Sequence, residues 1–270
     1  MSAEPTYEIV DITPELAADW LDRYNTHNRN LRRRVVAAYA RDMEANNWQQ
    51  TGESIKRAVD GTILDGQHRL AAIAEANVTV RMLVVGNLPM RAQEAVDGGP
   101  KRSFSDTLRL RGEKQYVLLA SLVRRAWFWN SGLRKSTGNY SPSIPELLVV
   151  LEQHPELRHS TEVVARIKNS VPIPGSILGL CHWLTYRIDP DDAEFFFARL
   201  ADGVNLEAGH PVYVLRKAAI EGHTSKSRLT EVVAAAYVIK AWNAYRDGRT
   251  MGLLRYRPGG ANPETFPEPR

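Results

Sequence analysis

A short strand that passes through one glycine straight into a helix narrows the folds open to this chain more than anything else in it. Ile63-Leu64-Asp65-Gly66 ends an apolar strand on a residue suited to a sharp turn. Gln67-His68-Arg69 follows, and then Leu70-Ala71-Ala72-Ile73-Ala74-Glu75-Ala76, a strong helix former closed by Asn77. Upstream, residues 55–59 and 62–64 flank Asp60-Gly61, the pair suited to a tight two-residue hairpin turn. Residues 80–85 read as a buried strand, and Pro89 opens a short helix running to Val96. Asp97-Gly98-Gly99-Pro100 then forces a turn, and Ser103 and Ser105 read as capping residues before Asp106. A further helix is expected after Asn30 as its cap, with Val35, Val36, Tyr39, Ala40 and Met43 on one stripe and Asn46-Asn47 at its end.

Beyond residue 115 the strand signals stop. Helical spacing of apolar residues marks 116–130, 144–154, 158–168, 176–187, 191–202, 211–221 and 226–246, with linkers at 132–145 and 169–174. The expected architecture is α/β: a small mixed sheet with helices over residues 8–112, an all-helical region over 113–250, and an extended proline-rich tail over 251–270.

With 43% apolar and 24% charged residues, the chain has the mixture of one that buries a core. A single cysteine, Cys181, excludes an intrachain disulfide and a cysteine-built zinc site. No apolar run approaches the roughly 20 residues of a membrane span, and the acidic start lacks the shape of a signal peptide. The expectation is a cytoplasmic protein with no membrane partner. The net charge of +4 is too weak alone to demand nucleic acid. Residues 1–112 hold 15 basic and 15 acidic side chains, so the whole excess lies downstream. Within that neutral part, Arg29, Arg32, Arg33 and Arg34 cluster at a helix start, where the helix dipole disfavours cations. A solvated helix face and a set of phosphate or DNA contacts are both open readings of that cluster.

The strand-to-helix junction carries the chemistry. A helix N-terminus offers unpaired N–H groups and partial positive charge, and hence holds anions. Gly66 permits close backbone approach, while His68 and Arg69 add donors where a phosphate would sit. Asp65, at the strand's carboxyl end, could hold a metal ion or orient a hydroxyl. Taken singly each residue reads as turn or surface; together they point to an anion site. The remaining histidines (27, 154, 159, 182, 210 and 223) show no metal-binding spacing along the sequence. The tryptophans at 127, 129, 183 and 242 read as core.

The segment from Asp60 to Ala72, around Asp65-Gly66-Gln67-His68-Arg69, resembles the signature of the ParB/sulfiredoxin superfamily in its D-G-Q-H-R branch. Many members of that branch come from actinobacteria and their phages. Tyr39-Ala40-Arg41-Asp42-Met43, Trp48, Gly52-Glu53 and Asp97-Gly98-Gly99-Pro100-Lys101-Arg102 extend the resemblance over residues 8–112. It implies a junction that holds a nucleotide's phosphates through Gly66, Gln67, His68 and Arg69, with Lys101 and Arg102 closing from the other side. Partition ParB proteins place an acidic residue and an arginine where Gln67 and His68 stand here, and sulfiredoxins a cysteine in place of Gln67. The free-serine kinase of the superfamily matches at Asp65, Gly66, His68 and Arg69, and its base falls on Glu53 as the candidate.

The resemblance therefore implies a nucleoside triphosphate (ATP or CTP) with Mg²⁺, and a phosphotransferase or NTPase in which Glu53, Asp65 and His68 are catalytic and Asp65 meets the metal. No P-loop sequence occurs. A DNA-binding module or nuclease and a non-catalytic nucleotide-binding regulator stand beside it, as does a homodimeric state. Against the DNA reading, residues 113–270 show no helix-turn-helix pair, and Asp65 with Glu53 is a thin carboxylate set for two metals.

Overall fold

The computed structural model describes residues 4–26, 28, 30–95, 103–134, 140–224 and 229–270. It divides into two compact units, one built from residues 1–101 with 138–146, the other from 102–137 with 147–270.

The first unit holds a four-stranded mixed sheet: β1 (Thr6–Ile12), β2 (Ser54–Ala58), β3 (Ile63–Asp65) and β4 (Val80–Leu88), in the order β1-β4-β2-β3. β4 pairs antiparallel with β1 and parallel with β2, and β2 pairs antiparallel with β3. Three helices pack in this unit: α1 (Pro14–Tyr24), α2 (Arg33–Glu44) and α3 (Gln67–Ala76). Their core joins Ala17, Trp20, Val36, Ala40, Met43, Leu70 and Ile73 to Ile12, Ile55, Ile63, Met82 and Val84 of the strands. Tyr7 and Ile9 alternate with Ile12's side of β1 and stay exposed, so this strand is apolar on both faces. Apolar residues on both faces, interrupted by Glu8 and Asp11, hide β1 from a reading based on alternation. α1, likewise unanticipated, starts on a plain signal, since Thr13 accepts the N–H of Leu16 and Pro14 takes the first helical position.

Two local expectations change. Asn30 does not cap α2; Arg32 takes that place, and its side chain makes no capping hydrogen bond. Nor is the β2–β3 turn a two-residue one. Ala58 donates to Thr62 O at 2.8 Å and Gly61 donates to Ala58 O at 2.9 Å, leaving a three-residue loop, Val59-Asp60-Gly61, with Gly61 at φ +91°. A type I turn followed by a left-handed glycine gives this geometry, and Val59 is turned outward, 66% exposed. A one-residue register shift between Lys56 and Arg57 then absorbs the extra loop residue and sets Lys56 opposite Asp65. The short helix after Pro89 is a 3-10 helix, Met90–Ala95.

The stretch expected as a linker at 132–145 ends in structure. Ser143 and Glu146 cap each other at the start of α6 (Ile144–Gln153), Ser143 N donating to Glu146 Oε2 at 2.7 Å and Glu146 N to Ser143 Oγ at 3.3 Å. From there Glu146 accepts Arg41 Nε at 2.8 Å, and Ser143 Oγ donates to Asp42 Oδ1 at 2.6 Å.

The second unit is helical among its described residues. It comprises α4 (Phe104–Leu110), α5 (Tyr116–Asn130), the remainder of α6, α7 (Leu157–Ile167), α8 (Gly175–Tyr186), α9 (Pro190–Asp202), α10 (Pro211–Thr224) and α11 (Glu231–Arg246). Ser103 caps α4, as expected, and forms a capping box with Asp106, whereas Ser105, also expected as a capping residue, lies inside the helix. α8 is buried nearly all round, with α5, α7, α9 and α11 against it. Residues 251–270 form no helix or strand, yet Leu254, Tyr256 and Phe266 are buried and Trp242 Nε1 donates to Arg270 O at 3.0 Å. Three large apolar side chains hold that segment down despite its prolines. No helix among the described residues is long and apolar enough to cross a membrane.

Candidate functional site

The junction at Gly66 is fixed by sterics. Gly66 has φ +101°, and a Cβ there would stand 2.4 Å from Ile55 Cδ1 and 3.2 Å from Ile55 Cα. Only glycine combines the left-handed backbone with so close an approach to β2. Gly66 N donates to Asp65 Oδ1 at 2.7 Å, and Gly66, in the cap position of α3, has no side chain to offer its first turn.

Asp65 is largely engaged. Its Oδ2 accepts Lys56 Nζ at 3.0 Å and Arg69 Nη2 at 3.1 Å. Burial would raise its pKa, but Arg69, Lys56 and the Gly66 N–H outweigh that and hold the carboxyl below its ordinary value. Arg69 also donates to Ser54 O at 2.7 Å and reaches Glu53 Oε2 at 3.4 Å. Its side chain is 12% exposed, and Nε is buried with no hydrogen-bond partner among the described residues. Glu53 is the open member, 64% exposed.

His68 faces the other way. Its Nε2 accepts the backbone N–H of Arg32 at 3.0 Å, so the first turn of α3 and the start of α2 meet through one hydrogen bond. An accepting Nε2 is unprotonated, which leaves a neutral ring's proton on Nδ1. Arg32, Arg33 and Arg34 are exposed and have no carboxylate partner among the described residues. Gln67 is buried, its Oε1 accepting Asn25 Nδ2 at 3.2 Å.

The structure thus groups Glu53, Asp65 and Arg69 on one side of the junction and His68 with Arg32 on the other. Arg29, Lys101 and Arg102 lie outside the described residues. Four polar residues that motif reading passes over, Lys56, Asn25, Asn28 and Gln93, complete the site. Lys56 reaches Asp65 only through strand register. Asn28 Nδ2 donates to Ile63 O at 2.6 Å and to Asn25 Oδ1 at 2.7 Å, and Gln93 Nε2 donates to Asn28 Oδ1 at 3.1 Å. These amides pin the segment after α1 against the junction. Asn25 and Asn28 are spaced three apart, a signal too common to find them by.

The chain matches no family model, no curated protein and no solved structure.

Proposed function

We propose that the chain binds the phosphates of a nucleoside triphosphate, ATP or CTP with Mg²⁺, across the paired starts of α2 and α3. The observation that carries this reading is the hydrogen bond from Arg32 N to His68 Nε2. It brings together two helix N-termini at which the residue in the cap position, Arg32 or Gly66, makes no side-chain hydrogen bond to its own first turn. Two positive dipole ends thus lie next to three consecutive exposed arginines, Arg32, Arg33 and Arg34, a concentration of positive charge suited to an anion. The ParB/sulfiredoxin resemblance at Asp65-Gly66-Gln67-His68-Arg69 points to the same ligand. Arg69, tied to Asp65, acts in this reading chiefly by shaping the junction, while His68 and Arg32–Arg34 supply the outward donors.

Turnover by phosphoryl transfer is the enzymatic form of the proposal. Glu53 is the carboxylate suited to a base, being exposed beside Arg69 and held by one long contact only. The bare arginines also favour DNA as an alternative anion, with or without cleavage.

Isothermal titration of the full chain with ATP, CTP, GTP and UTP in Mg²⁺ tests the proposal. The expected result is binding of at least one of them, weakened about 10–100-fold in Arg33→Ala or Arg34→Ala, the worth of one charge-assisted contact. No heat with any of the four refutes it. Binding of duplex DNA with a steep salt dependence, and no nucleotide binding, selects the DNA reading.

A further inference from the structure

Away from the junction, three helices of the second unit each turn one metal-ligating side chain to a common point: His159 from α7, His182 from α8 and Glu194 from α9. One ligand atom from each lies within 4.8 Å of the others. His159 Nε2 is 2.5 Å from Glu194 Oε1, and His182 Nε2 is 3.4 Å from the same oxygen.

His182 is the informative member. Its side chain is 0% exposed, yet among the described residues Nε2 finds no well-formed hydrogen bond, only the 3.4 Å approach to Glu194 Oε1. A buried polar atom left without a partner is destabilising, so helical cores rarely keep one without a use. The ring cannot turn to relieve it. Nδ1 is 2.9 Å from the buried Ser160 hydroxyl, Tyr186 stacks on the ring at 5.6 Å, and Phe197 meets its edge at 5.0 Å. A second ring nitrogen hydrogen-bonded to an orienting group is the usual outer arrangement around a metal-bound histidine. Burial also pushes the His182 pKa down to about 4, which keeps the ring neutral, as coordination needs.

We propose that His159, His182 and Glu194 bind one divalent transition-metal ion of the zinc class. Tetrahedral zinc with bonds of about 2.0–2.2 Å sets its ligand atoms roughly 3.4 Å apart. His182 and Glu194 already stand at that separation, and His159 must only open its short contact with Glu194. Both of these side chains have room to adjust, at 43% and 44% exposure, whereas His182 is the fixed floor. Two imidazoles and a carboxylate suit zinc or cobalt better than magnesium, which prefers an all-oxygen shell. Three protein ligands leave a fourth position on the solvent side for water or a small anion.

The test is titration of chelator-treated, nucleotide-free full-length protein with Co²⁺, read by its visible absorption, followed by displacement with Zn²⁺. One Co²⁺ per chain with tetrahedral-type bands, bleached by one equivalent of Zn²⁺, is the expected result. Glu194→Gln and His159→Asn, both at half-exposed positions, should each weaken binding by more than the roughly 10–100-fold lost with an outer-shell partner. Circular dichroism of both variants should match the parent. Absence of the bands, or binding undiminished in both variants, overturns the proposal.

Discussion

Arg69 reaches back one helical turn to Asp65, meeting its carboxylate at 3.1 Å with both side chains mostly buried. The same carboxylate oxygen takes Lys56 from the neighbouring strand, and Arg69 spends a further donor on Ser54 O. Strand end, turn and helix start are therefore held by one set of charge-assisted contacts. Asp65→Asn should lower stability by about 1.5–3 kcal/mol at pH 7, measured by urea unfolding. The Asp65 pKa lies below its ordinary value in the folded chain. Its contribution is thus complete above the unfolded value near pH 3.8 and is lost as pH falls through the depressed folded value. The gap between parent and variant should therefore narrow under acid, and a constant gap would contradict the ion-pair account.

Gly66→Ala tests the junction by sterics alone. Left-handed strain and the 2.4 Å approach to Ile55 act together. A loss of about 2–4 kcal/mol in unfolding free energy is expected. Gly52→Ala is the control: Gly52 is also left-handed, at φ +82°, but a Cβ there meets nothing within 4 Å. It should cost about 1–2 kcal/mol, from backbone strain only.

Asp42 makes the opposite pH prediction to Asp65. Burial pushes its carboxyl up to about 6, against the opposing hydrogen bond from Ser143. The folded chain then holds an extra proton between about pH 4 and 6, so this group's effect on stability worsens as pH rises through that window. Asp42→Asn keeps an acceptor for Ser143 and removes the charge. It should be more stable than the parent by about 1–3 kcal/mol at pH 7.5 and nearly equal to it at pH 4, as read from urea midpoints.

Glu53→Gln separates binding from chemistry under the proposed phosphotransferase or NTPase reading. The side chain is exposed and, among the described residues, pairs with Arg69 alone, so nucleotide affinity should stay within about threefold while turnover falls about 10²–10⁴-fold. Equal turnover in parent and variant removes Glu53 as the base.

Much of the first unit's site could be read from residue types, because its key step is local. Ile63 to Arg69 are consecutive, and Gly66 announces its turn. What escaped depends on register and on distance along the chain. Lys56 faces Asp65 because a three-residue loop and a one-residue strand irregularity offset each other, two departures from the tight turn that Asp60-Gly61 suggests. β1 carries apolar residues on both faces, so alternation does not betray it. The histidine–glutamate cluster is a sharper case. His159, His182 and Glu194 stand on three successive helices, and their convergence is a product of packing that no spacing along the sequence encodes.

The return of residues 138–146 to the first unit has a consequence for how the chain is made. Arg41 and Asp42 emerge from a ribosome about a hundred residues before Glu146 and Ser143, their partners across 105 and 101 positions. Until that later stretch arrives, α2 carries a guanidinium without its carboxylate and a buried acid without its hydroxyl. A fragment cut after the last strand would stay in that condition permanently. The first unit is an early-begun and late-finished body, and an expression fragment meant to capture the junction should therefore extend through residue 146.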